Sequence, residues 1–178
     1  MDPVLLAVLA VTAAGIALEA TRRRARRSKA HGARTRQRGA ARRPYPGDFE
    51  GRVDVTYSPV ADTHADPGEI VWTWVPFEED HTRGKDRPVL IIGTDGRWLL
   101  ALQLTSKDHD ADAADEARWG RRWLDIGSGP WDTRRRPSEV RLDRIVRVDP
   151  RSVRRQGAIL DRARFEQVAR SLSDLHHW

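Results

Sequence analysis

Four consecutive branched apolar residues, Val89 to Ile92, lie between Pro88 and Gly93 and restrict this chain more than any other stretch. A short apolar run closed by turn formers fits a strand buried on both faces better than a helix. Pro88 has no N–H to give to a ladder, so the strand is expected to begin there. Arg87 precedes the proline and is biased toward extended backbone. Its guanidinium is therefore expected to project from the strand mouth, where a fixed, always-charged fork suits a phosphate.

Other strand-like stretches surround this one. Gly68 to Phe77 alternates, with Ile70, Trp72 and Trp74 on one face and Val71, Thr73 and Val75 on the other. The two tryptophans are expected to pack in a core or an interface rather than stack on bases. Glu78 to Asp86 reads as a polar loop that can close over a substrate, with Gly84 as a hinge candidate. Trp98 to Leu104, Arg122 to Ile126 and Ser138 to Val148 read as further strands, the last with its pattern broken near Arg144, as a bulge or two short strands would break it. Val53, Val55 and Tyr57 alternate as an edge strand would. After the N-cap candidate Asp161, the spacing of Phe165, Val168, Leu172 and Leu175 predicts one amphipathic helix. Short strands in series before a single helix predict a mainly β chain, a small bent barrel with the helix packed on it.

Charge is unevenly placed. The first 43 residues hold eleven basic and two acidic side chains, so the +6 of the whole chain becomes −3 over the remaining 135. Any nucleic-acid site on the folded part must then be a local cationic patch. Pro3 to Leu18 is uncharged and as a helix would span roughly 24 Å, slightly short of a ~30 Å hydrocarbon core. Asp2 precedes it and six basic residues between Arg22 and Lys29 follow, the charge order of a membrane anchor rather than of a cleaved signal. The domain expectation is an anchor over 1–20, a basic Pro/Gly-containing linker over 21–67 and a folded domain over 68–178, on the cytoplasmic face of the membrane. A cytoplasmic protein without an anchor is the alternative. The chain has no cysteine, which removes disulfides and thiolate chemistry. Asp62, His64 and Asp66 have no further His or Cys nearby and read as a solvated loop, and neither a metal nor a cofactor is expected.

In order along the chain, GEIVWTWVPF (68–77), RPVLIIG (87–93), LQLTS (102–106) and SEVRLDRIVRV (138–148) resemble the PemK/MazF family of toxin endoribonucleases, over roughly 68–175. The resemblance implies an SH3-like barrel and metal-independent cleavage of single-stranded RNA by the toxin of a type II toxin–antitoxin system. It also implies a homodimer and a cognate antitoxin peptide. Arg87 and Thr105 fall on the implied catalytic pair, with Ser106 as neighbour. A membrane segment departs from the usual soluble pattern of the family. From the residues themselves, a threonine hydroxyl is a poor base, and His81 and His109 are the nearby imidazoles. Lys85 and Arg83 offer looser phosphate contacts, and Arg134, Arg135 and Arg136 form a further cationic group for RNA or an antitoxin. Two other readings stand beside the enzyme: an SH3-like module that holds nucleic acid or peptide without cutting, and a membrane-associated scaffold.

Overall fold

Residues 44–107 and 118–178 are described in a computed structural model of the chain. The expected anchor, the basic arm up to Arg43 and His109 lie outside the described residues. The chain divides between Arg43 and Pro44, and the second unit is the one described below.

Six strands form one sheet: β1 (Glu69–Pro76), β2 (Gly84–Asp95), β3 (Trp98–Thr105), β4 (Trp123–Asp125), β5 (Glu139–Val148) and β6 (Arg155–Ile159), in the order β4-β5-β3-β2-β1-β6. Every pairing among these strands is antiparallel. A 3-10 turn at Pro150–Ser152 leads into β6, and helix α1 (Arg162–His176) follows.

The alternation read in β1 and β2 sorts their side chains onto two apolar faces. On the first face Ile70, Leu90, Ile92, Leu100, Leu102 and Leu104 meet Phe165, Val168 and Leu172 of α1. On the second, Val71, Val75, Val89, Ile91, Ala101, Val146 and Val148 form a smaller cluster. Val89 to Ile92 are fully buried, as expected of a strand covered on both sides. The helix begins as its sequence predicts: the Asp161 carboxylate accepts from the Arg164 N–H at 3.0 Å.

Four expectations need correction. Strand β2 begins at Gly84 and not at Pro88, so 84–86 belong to the strand rather than to the loop and Arg87 lies inside it, paired with Thr73, instead of at its mouth. Val53, Val55 and Tyr57 do not form an edge strand. Residues 49–57 run extended over the first face, joined to the sheet by the Phe49 N–H to the Ile145 carbonyl (2.8 Å) and the Thr56 N–H to the Ile92 carbonyl (3.2 Å). Their apolar side chains are used to cover the core rather than to extend a ladder, and Val53 is 4% exposed. The compact unit that holds the sheet includes residues 44–67 as well. Gly84, expected to be a hinge, is instead paired with Pro76 within β2, where a Cβ would overlap the Val75 carbonyl and the Trp74 ring. Close approach, not flexibility, requires glycine there. Finally, β6 was not expected: its five residues, RQGAI, carry little apolar alternation, and β1 recruits them through backbone pairing with a bulge between Ile70 and Val71.

Candidate anion-binding and catalytic site

Arg87 lies on β2 opposite Thr73 and on the same face as Val89 and Ile91. Its backbone is paired, but no described residue accepts a hydrogen bond from its half-buried guanidinium. Of the two carboxylates within sequence reach, Asp86 meets Arg154 through Oδ2 while its buried Oδ1 has no hydrogen-bond partner among the described residues, and Glu69 accepts from the Asp66 N–H. Burial first, and then the positive charges of Arg144 and Arg141, push the Arg87 guanidinium below the ordinary arginine value. It remains a cation, since arginine stays protonated in proteins. A charge held in so unfavourable a setting gains most from a bound anion.

The neighbouring cations come from a bulge. Leu102 pairs with Ile145 and Leu104 with Val140, so the four residues 141–144 of β5 stand against Gln103 alone. These residues leave the β3 ladder, Arg141 staying paired with Trp123 of β4, and the positive charges of Arg144 and Arg141 act on Arg87. Both are compensated. Arg141 reaches Glu78 at 3.0 Å and Asp143 at 2.6 Å; burial alone would lower its guanidinium, and these carboxylates outweigh that and raise it. Arg144 grips Asp48 with Nε (2.7 Å) and Nη2 (3.1 Å), while Nη1 donates to the Pro76 carbonyl at 2.9 Å.

Thr105 ends β3. The β2–β3 register sets Val89 against Gln103; carried two residues further, it sets Arg87 against Thr105. The Thr105 hydroxyl oxygen accepts from the Lys107 N–H at 3.1 Å, which leaves the hydroxyl proton available to donate. Across β5, Thr105 pairs with the buried Glu139. Ser106 follows, half-buried, and Lys85 and Arg83 are exposed, with the Arg83 guanidinium 5.8 Å above the Phe77 ring.

His81 is exposed. It meets the Tyr45 ring edge-on (4.9 Å) and lines a cleft of about 610 Å³ with Asp48, Glu50, Glu78 and Arg147. Arg134, Arg135 and Arg136 sit exposed in a turn organised by Asp132, which accepts from the Arg134 N–H and from Arg136 Nε (2.7 Å). The cations that act on Arg87 are thus Arg141 and Arg144, not this run. Sequence reasoning missed Arg141, Arg144, Glu139 and Asp48 as site residues. The broken alternation near Arg144 was the available signal for the first two; nothing local marked Asp48, 96 residues away from its partner.

Among the described residues, the Arg87 guanidinium inside β2 and the Thr105 hydroxyl at the end of the neighbouring β3 keep donors without an acceptor. The model of the PemK-like, MazF-like toxin of type II toxin-antitoxin systems matches residues 66–176. Among solved structures, MazF (Form-I) from Deinococcus radiodurans is similar at 20% identity and TM-score 0.46, with 66% of this chain and 100% of that one covered. The MazE-MazF structure (Form-II) from the same organism is similar at 20% identity and TM-score 0.45, with 64% of this chain and 96% of that one covered. A comparison with curated proteins found no match. With 111 of its 178 residues inside the family match, the chain belongs to the PemK-like, MazF-like toxins of type II toxin–antitoxin systems.

Proposed function

We propose that this toxin is an endoribonuclease that cleaves single-stranded RNA without a metal, with Arg87 and Thr105 at the scissile phosphate. The single observation that carries this reading is the Arg87 guanidinium, which has no acceptor among the described residues and lies on the strand beside the one that Thr105 ends. In the reaction the 2′-oxygen attacks phosphorus as the bond to the 5′-oxygen breaks, leaving a 2′,3′-cyclic phosphate and a 5′-hydroxyl. Arg87 donates to the phosphoryl oxygens, which gain charge in the transition state, and Thr105 donates a further hydrogen bond. In this reading Glu139, paired in register with Thr105, takes the 2′-hydroxyl proton, and solvent water gives one to the 5′-oxygen as it leaves. Lys85, Arg83 and Arg134 to Arg136 contact phosphates further along the strand, and Ser106 supports Thr105.

The bent sheet with its two apolar faces supports the SH3-like barrel of the family. A homodimer and an acidic antitoxin peptide competing with RNA complete the proposal. For the N-terminus we propose a single-pass anchor that holds the domain on the cytoplasmic face, supported by the uncharged run and the arginines after it. Fractionation tests this: the full chain is expected with membranes, and a soluble full chain would exclude the anchor.

The activity is tested by incubating the full chain with a long single-stranded RNA in chelator and mapping the new ends. Discrete cuts bearing 2′,3′-cyclic phosphate and 5′-hydroxyl are expected. RNA left intact, or cut only after divalent cation is added, would overturn the assignment.

A further inference from the structure

The segment from Pro44 to Tyr57 precedes the region matched by the family, yet it is built into the site. Two arginines of β5 hold its first turn. Arg147 Nη1 donates to the carbonyls of Gly47 (3.0 Å) and Asp48 (2.8 Å), and its guanidinium lies 5.0 Å from the centre of the Phe49 ring. The Phe49 N–H pairs with the Ile145 carbonyl, and the Tyr45 hydroxyl donates to the Asp48 carboxylate. Val53 then enters the core, so the segment is fixed at both ends. Asp48 is therefore held as firmly as a strand residue.

What Asp48 holds is Arg144. The pair is bidentate, and the Arg144 side chain is 6% exposed and reaches the carbonyl of Pro76, in the strand that pairs with β2 from Gly84 through Arg87. Without Asp48, Arg144 would be a second fork with free donors, able to take a phosphate of its own. With Asp48 in place, Arg144 is neutralised and aimed at the Pro76 carbonyl, and Arg87 keeps the free donors of the cluster.

We infer that Asp48 is a positioning residue: acting through Arg144, it restricts the cation cluster to one phosphate and directs that phosphate to Arg87. This rests on the reading of Arg87 as the group that holds the scissile phosphate. It assigns a role at the site to a segment that the family region does not include.

The test uses the full chain, a single-stranded oligodeoxynucleotide and an RNA of the same sequence. The DNA lacks the 2′-hydroxyl and cannot be cut by this chemistry, so binding is read separately from cleavage. Asp48→Asn frees Arg144. It is expected to bind the oligodeoxynucleotide more tightly at low salt, with the slope of log K against log salt steeper by about 0.7, one added phosphate contact on a single strand. The turnover rate on RNA is expected to fall about tenfold to 10²-fold, as for a misplaced reacting group. Asp48→Glu should move both readouts back toward wild type. Asp48→Asn combined with Arg144→Met removes both charges and should restore the wild-type slope, and Asp48→Ser, which also removes the carboxylate, is read in the same way should Asp48→Asn fail to fold. Weaker binding or an unchanged slope in folded Asp48→Asn would overturn the inference, as would a double variant whose slope differs from wild type by a full contact. A wild-type chain that binds the oligodeoxynucleotide but leaves RNA intact would remove the endoribonuclease reading, and the slope comparison would still decide the role of Asp48.

Discussion

On β5 each of three arginines meets a carboxylate: Arg141 meets Asp143 and Glu78, Arg144 meets Asp48, and Arg147 meets Asp95 at 2.9 Å. On β2, with only β3 between them, Arg87 forms no ion pair among the described residues and feels the positive charges of Arg144 and Arg141. The two regions share one residue type and one sheet but differ in compensation. A buried cation with its partner is part of the structure, and breaking the pair costs stability. A half-buried cation without one is a strain on the fold that its surroundings must offset, and such groups concentrate where a ligand binds.

The contrast can be broken most forcefully at Arg87. Arg87→Ala is expected to lower RNA cleavage by about 10²-fold to 10³-fold, or roughly 2.7–4 kcal/mol of transition-state stabilisation. Arg87→Lys should recover only part, because a point ammonium does not reproduce the planar fork. Thr105→Ala should also impair cutting, and the double variant should lose much less than the product of the two losses, measured in single-turnover assays. Oligodeoxynucleotide affinity should change less than rate in each case.

The compensated region should respond in stability instead. Arg144→Ala leaves Asp48 without its fork and is expected to cost about 3 kcal/mol in denaturant unfolding. A loss below about 0.5 kcal/mol would place Arg144 with ordinary surface residues and erase the distinction. Away from the cluster, Asp161→Ala removes the cap of α1 and should cost about 1 kcal/mol while leaving cleavage unchanged, a control for purely structural loss.

Acid should act on the same contrast more gently. Burial pushes the Asp48 carboxyl up, but hydrogen bonds from Arg144 and Tyr45, with the charge of Arg144, outweigh it and hold the group below the ordinary carboxylate range. Because the folded value is the lower one, the contribution of Asp48 to stability is fully present above the unfolded value of about 3.9 and is lost as pH falls through the folded value. Unfolding free energy measured between pH 6 and pH 2 should therefore fall less steeply below pH 4 in Asp48→Asn than in wild type. Parallel curves would show that Asp48 carries no coupled proton.

Much of this was legible in the residues, and the rest was hidden for identifiable reasons. Val89 to Ile92 announced a doubly covered strand because four branched residues between Pro88 and Gly93 have few other uses, and Phe165, Val168 and Leu172 announced a helix face by their spacing. The bulge in β5 showed as broken alternation, but its consequence did not. That Arg141 and Arg144 come to Arg87 depends on register between strands far apart in sequence, whereas Arg134 to Arg136, adjacent in sequence and conspicuous, lie exposed in a turn. Residues 49–57 alternate like a strand yet follow the first face, because their apolar side chains and two backbone hydrogen bonds are satisfied without a full ladder. Strand β6 was invisible since backbone pairing with β1, not its own side chains, defines it.

The most direct test is the thermal stability of Arg87→Met, which keeps the apolar stem and removes the charge. In chloride buffer free of phosphate, the variant is expected to melt higher than wild type, because the fold no longer holds an uncompensated cation. Adding the single-stranded oligodeoxynucleotide should raise the melting point of wild type and raise that of the variant much less, by ligand linkage. A variant that melts lower than wild type, or is stabilised equally by the oligonucleotide, would mean that Arg87 already has its partner within the protein and is not the group reserved for phosphate.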